Sequence, residues 1–160
     1  VADVKRLNPE HVRALADLVS NSPYFSLLSM EVLDLSMGGS LLKIAVHEKH
    51  LQPFRMVHGG VYASLIDAAA FWACYCEVEE GLSLTTVEMK LNYLAPSSKG
   101  FLIGKGRSIK MGKTLCLADA TIEDEQGRLL AHGTATMMIL ESIKLEGQSG
   151  LPQKFLSAFV

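Results

Sequence analysis

The run His58-Gly59-Gly60-Val61-Tyr62-Ala63-Ser64-Leu65-Ile66-Asp67-Ala68-Ala69-Ala70-Phe71-Trp72-Ala73-Cys74-Tyr75 decides the fold. From Gly59 onward apolar residues fall on every side of a helix rather than on one stripe, and a helix apolar all round is expected to be buried all round. Asp67 sits inside it. A buried carboxylate loses solvation unless something nearby offsets the loss, and burial should raise its pKa toward that of a useful base. The alternative is an Asp on an exposed edge, or one that caps a neighbouring N–H.

Downstream of this helix, beyond Glu79-Glu80-Gly81, four segments read as strands: Leu82 to Leu94, Phe101 to Met111, Thr114 to Asp124 and Arg128 to Leu140. Their connections are too short for the crossover that a parallel pair needs, so the sheet is expected to be mostly antiparallel. Upstream, Ser29 to Ser36 and Ser40 to His47 form a hairpin about Gly38-Gly39, and Glu48 to Val57, with no period and with Pro53, reads as a loop. Asn8-Pro9-Glu10 starts a helix of about ten residues. The tail after Ser142, with Gly147, Gly150 and Pro152, reads as loose. The simplest packing is α+β, a curved antiparallel sheet wrapped around one long central helix. Residues 1–28 form an N-terminal helical segment in this reading, 29–141 the domain, and 142–160 a C-terminal tail.

Composition bounds the function. The 160 residues, 49% hydrophobic and 20% charged, suit one domain, and the formal charge of −2 argues against nucleic acid as a partner. Three cysteines make neither an even disulfide framework nor a zinc pair, which points to a reducing compartment. Val1 to Glu10 lacks a basic head and apolar run, and the longest apolar stretch, Val61 to Cys76, is short for a membrane span and contains Asp67. The expectation is a cytoplasmic protein with no membrane association. His47 and His50 lie at a strand end, where they cannot pair on one ion, so no metal is expected, and no cofactor either. No GxSxG elbow surrounds a serine, and no cysteine has a clear base partner. Gly106 with Gly112-Lys113-Thr114 misses the phosphate-loop spacing and leads into a strand rather than a helix.

The two glycines open the central helix, where the first N–H groups lack intrahelical partners and the dipole is positive, an arrangement suited to a developing oxyanion. They would equally permit a tight turn into the helix. His58, just before that helix, is expected to fix the loop by hydrogen bonds. Arg107, Lys110 and Lys113 are either a cradle for phosphates or a solvated hairpin. Phe54, Tyr62, Phe71 and Trp72 offer aromatic surface to a phenyl or medium-chain group, or pack against the sheet.

The run from His58 to Asp67, with Gln52-Pro53 before it and Tyr93-Leu94-Ala95-Pro96 after it, resembles the hotdog-fold acyl-CoA thioesterases of the PaaI type, over about Ser29 to Leu140. The resemblance implies a hotdog fold and hydrolysis of an acyl-CoA to free acid and CoA. It puts the catalytic carboxylate on Asp67, the oxyanion donor on Gly59, an assisting amide on Gln52 and a hydroxyl beside the carboxylate on Thr86, with Thr85 as a substitute. His58, Gly60, Arg107, Lys110 and Lys113 are then substrate-binding candidates. It also implies homodimers with sites at the interface, paired further into tetramers. Many relatives read Asn-Pro-x-Gly before the two glycines, whereas this chain has Gln52-Pro53-Phe54-Arg55, with Arg55 replacing a glycine. Two other functions are weighed against hydrolysis: a non-catalytic acyl-CoA-binding module, and a hydratase or dehydratase of acyl thioesters. Eight residues separate Gly59 from Asp67, about 12 Å along a helix, so one thioester carbon reaching both requires two subunits.

Overall fold

The computed structural model describes residues 5–156. Its elements are β1 (Arg6–Leu7), α1 (Pro9–Ser20), α2 (Pro23–Leu28), β2 (Met30–Ser36), β3 (Gly39–Ala45), α3 (Gly59–Tyr75), β4 (Ser83–Tyr93), β5 (Phe101–Met111), β6 (Leu115–Glu123), β7 (Leu129–Leu140) and β8 (Phe155–Leu156). Six strands form one sheet in the order β2-β3-β5-β6-β7-β4, and every neighbouring pair is antiparallel. Helix α3 packs against all six. Leu65, Ile66, Ala69 and Ala70 of α3 meet Leu42, Ile44, Leu102, Ile122 and Met137 of the sheet in a fully buried core.

Close approach of helix and sheet depends on glycine. A Cβ at Gly106 would lie 2.0 Å from the Ala69 carbonyl oxygen, and one at Gly104 would lie 2.8 Å from Leu65. An isolated glycine inside a strand pattern often marks such an approach. Ser40 completes the contact by donating its hydroxyl to the same Ala69 oxygen at 2.6 Å.

Helix α3 is not buried all round. Gly60, Ala63, Ser64, Asp67 and Phe71, spaced at helical intervals on one side, stay half-buried or exposed rather than sealed in the core. The apolar count hid this stripe because alanine and glycine read as core whether or not anything covers them.

The tail is not loose as far as residue 156, and residues 157–160 lie outside the described residues. Asn8 caps α1 by accepting from Glu10 N–H at 3.0 Å, and its amide donates to the Gln153 carbonyl at 2.9 Å. His11 donates Nδ1–H to the Pro152 carbonyl at 2.7 Å, and β1 pairs with β8. Lys154, 2% exposed, donates to the carbonyls of Tyr75 and Val78, the latter at 2.6 Å, and so closes the C-terminal end of α3. Nor does the N-terminal segment stand apart: Leu15 and Val19 of α1 join the core, and α2 forms from Ser22-Pro23, a start signal with proline in the first turn.

Candidate active site

Asp67 is half-buried on the open stripe of α3, and the Thr86 hydroxyl on β4 donates to its Oδ1 at 2.7 Å. Of the two threonines it is therefore Thr86 that reaches the carboxylate. The pairing of β4 with β7 shifts register between Thr86 and Glu88, a bulge that exposes Val87. Leu84 and Thr86 face the helix before the bulge, and Met89 and Leu91 pack toward the core after it, with Tyr93 against Tyr62 at 6.2 Å between ring centroids. Without the extra residue, Glu88, Lys90 and Asn92 would take the inward positions.

The carboxylate opens into a cavity of about 390 Å³. Tyr24 and Phe25 of α2 wall one side, Phe71 and Trp72 of α3 another, and Met89 of β4 a third. Ser64 donates to the Gly60 carbonyl at 2.8 Å, so its hydroxyl oxygen accepts from Tyr24 at 2.7 Å, tying α2 to α3 beside Asp67. The sequence reading missed Tyr24, Phe25, Ser64 and Met89.

Gly59 and Gln52 line a second cavity, of about 320 Å³, with Tyr62 and Tyr93. His58 caps α3, its Nδ1 accepting from Gly60 N–H at 2.8 Å, while the Val61 N–H goes to the His58 carbonyl at 2.9 Å. Among the described residues Gly59 N–H has no partner, so of the two glycines it alone offers a free donor at the positive end of the helix. Gln52 is oriented: its Oε1 accepts from Phe54 N–H at 2.5 Å, which leaves the NH₂ group as the outward donor.

The loop around Gln52 is a tight turn, with Arg55 N–H bonded to the Gln52 carbonyl and Gln52 N–H to the Met56 carbonyl, both at 2.8 Å. Arg55 closes it at φ +64°, in the left-handed region that glycine adopts freely. The substituted residue thus keeps a glycine's conformation. Its guanidinium pairs with Glu48 at 2.5 Å on the surface. Below the turn His50, 1% exposed, donates Nε2–H to the Leu28 carbonyl and accepts from His47 N–H, both at 2.9 Å. Burial lowers its pKa.

The three candidate cations line neither cavity. Arg107 is held by both oxygens of Asp119, at 3.1 and 2.7 Å, on the sheet face away from α3. Lys110 and Lys113 are exposed at the end of β5 and in the turn after it. Phe54 is 83% exposed and belongs to neither cavity. No group of three or more potential metal ligands occurs among the described residues. A hydrogen bond to Cys116 and burial push the Cys74 thiol up, and burial pushes Cys76 up to about 12, which makes both poor nucleophiles.

The chain separates two half-sites. One groups the Gly59 N–H and the Gln52 NH₂ as donors around one cavity, and the other holds a carboxylate with a hydroxyl on one oxygen, beside an aromatic cavity.

Comparison with known proteins gives this arrangement a family. Residues 54–131 match the model of the thioesterase superfamily. The chain is 28% identical over 137 residues to human acyl-coenzyme A thioesterase 13, covering 84% of this chain and 87% of that protein. It is 30% identical to a protein from the thioesterase superfamily solved by X-ray methods, with TM-score 0.72 over 80% of this chain and 97% of the other. The E. coli PaaI protein, from the phenylacetic acid degradation operon, is 19% identical and shares the fold, with TM-score 0.75 over 84% of this chain and 96% of that one. With a six-stranded antiparallel sheet packed around α3, the chain belongs to the thioesterase superfamily and has its hotdog fold.

Proposed function

We propose that the protein hydrolyses acyl-CoA thioesters to free acid and CoA. Gly59 N–H and the Gln52 amide hold the thioester oxygen as it gains charge. Asp67, one oxygen held by Thr86, either draws a proton from water or attacks the carbonyl itself. The observation that carries this reading is the Thr86–Asp67 hydrogen bond, because it fixes a carboxylate at the mouth of an apolar cavity and leaves one oxygen for chemistry. The aromatic walls suit an aryl or medium-chain acyl group. Of the cations, Lys110 and Lys113 are left for the CoA phosphates, since Asp119 already holds Arg107.

A complete site needs a second copy of the chain. β4 is an edge strand of eleven residues that exposes Val87 and Tyr93, with Leu94 exposed just beyond its end. A second copy paired antiparallel along β4 about Leu91 would set Met89, beside Asp67, opposite Tyr93, beside Gly59. That joins the two half-sites twice in a two-fold dimer, and dimers then pair into tetramers. Unbridged Cys74, Cys76 and Cys116 suit the reducing cytoplasm.

The test is a panel of CoA esters, aliphatic and aryl, with a thiol reagent. Release of free CoA supports hydrolysis, and binding without release by the wild-type protein overturns it.

A further inference from the structure

The cavity beside Asp67 has a neighbour. A third cavity, of about 390 Å³ like the one beside Asp67, lies between the end of α1, the start of α2 and the C-terminal segment. Leu18, Val19 and Pro23 line it on one side and Leu145 on another. Phe25 and Trp72 line both cavities, so the two are separated by a partition that these side chains form.

The two sides of the partition are held unequally. Trp72 is 6% exposed and packed edge-on against Phe71 and Tyr75, at 5.0 and 5.1 Å between ring centroids. Phe25 is only half-buried and rides on the six-residue helix α2, tied to α3 through the Tyr24–Ser64 hydrogen bond. An acyl chain entering past Asp67 along α3 meets Phe71 one turn on and then this wall. Beyond it most of the lining surface is apolar, as a hydrocarbon end requires, with Asn21, Ser22 and Glu146 as its polar part.

Resting on the acyl-CoA reading, we infer that Phe25, against Trp72, is the stop that sets acyl length, and that the cavity behind it is a latent extension of the acyl site for longer saturated chains. Within the first cavity, each buried methylene strengthens binding about four-fold, and the gain ends where the chain meets the wall.

The experiment uses uncleavable thioether analogues of acyl-CoA, from butyryl to stearoyl, with wild type, Phe25→Ala, the milder Phe25→Leu, and Phe25→Ala combined with Leu145→Phe. Trp72 is the sole tryptophan, so quenching of its emission by a chain brominated at its end reports arrival at the partition without any turnover. Wild-type affinity should climb with length and then stop, with quenching strongest at that length. Phe25→Ala should continue the climb over several further methylenes, Phe25→Leu over fewer, and refilling the rear cavity through Leu145→Phe should restore the earlier stop. The same limit in wild type and both Phe25 variants overturns the inference. If wild type releases no CoA from any ester, hydrolysis fails while the affinity limits still decide the partition; if no analogue binds, both fall.

Discussion

Thr86 on β4 donates its hydroxyl to Oδ1 of Asp67 on α3 at 2.7 Å, and the bulge of β4 begins at the next residue. The strand thereby delivers one hydroxyl to the carboxylate and then changes parity, so that Met89 and Leu91 rather than Glu88 and Lys90 turn inward. A hydrogen bond to a charged group contributes roughly 1.5–3 kcal/mol, so Thr86→Val should lower kcat/KM about ten-fold or more, while Thr86→Ser should recover most of it. Asp67→Asn keeps the volume and removes the base, and should cost on the order of 10² to 10⁴ in rate. Near-normal kcat for Asp67→Asn in a CoA-release assay would remove Asp67 from the chemistry.

Arg55 occupies the left-handed region at φ +64°, which costs a residue with a Cβ about 1–2 kcal/mol. Its ion pair with Glu48 is fully solvent-exposed and contributes little. Arg55→Gly should therefore leave stability unchanged or raise it, whereas Arg55→Val, β-branched in the same conformation, should lower it by more than about 1 kcal/mol. Urea midpoints measure both. Equal midpoints for the two variants would mean that the turn has changed its path.

Burial pushes Lys154 down to about 8 from 10.5. Between those values the unfolded chain holds a proton that the folded chain has released, so this lysine makes stability rise as pH rises from about 8 to 10.5, and below pH 8 its charged form is buried at a cost. Raised thiols at Cys74 and Cys76 pull stability down over the same range in both chains, so the lysine shows as a difference: thermal unfolding should find wild type gaining on Lys154→Met from about pH 8 to 10.5. Above about pH 10.5, where the lysine is uncharged in both states, that variant should be less stable than wild type, because the carbonyls of Tyr75 and Val78 lose their donor.

The main elements were legible because their signals are local. The helix from Gly59 to Tyr75 matched residue for residue, and four strands and a hairpin followed from turn residues and β-branched runs. What escaped depends on contacts distant in sequence. Lys154 becomes a buried cap only because residues 152–154 return to the start of α1, and lysine is otherwise a surface residue. The parity change at Val87 has no mark in Thr85-Thr86-Val87-Glu88, so Thr85 and Thr86 could not be told apart before the register was known. Gly104 and Gly106 did carry a readable signal, since glycine repeated in a strand interior has a reason, and here it is the backbone of α3. At the candidate site, Gly59 and Gln52 could be singled out by residue type and spacing, but the orientation of the Gln52 amide depends on Phe54 N–H, which only the folded turn supplies.

The separation of the half-sites leads to the strictest test. Gly59 and Gln52 share one cavity and Asp67 opens into another, with about 12 Å of helix between Gly59 and Asp67. A single thioester carbon does not span them, so a site assembled across two chains has Asp67 from one and Gln52 with Gly59 from the other. Asp67→Asn and Gln52→Ala then damage opposite halves. When the two variants are mixed under conditions that exchange subunits, about half of the dimers contain one of each chain. Every such dimer holds one site with both defects and one with neither. Activity should rise toward roughly a quarter of wild type, provided that Gln52→Ala alone is well below that level, as loss of an oxyanion donor worth about 3 kcal/mol would make it. If each site belongs to a single chain, every site in the mixture keeps one defect and activity stays at the average of the two variants. Mixed dimers demonstrated by mass spectrometry without recovered activity would end the shared-site model.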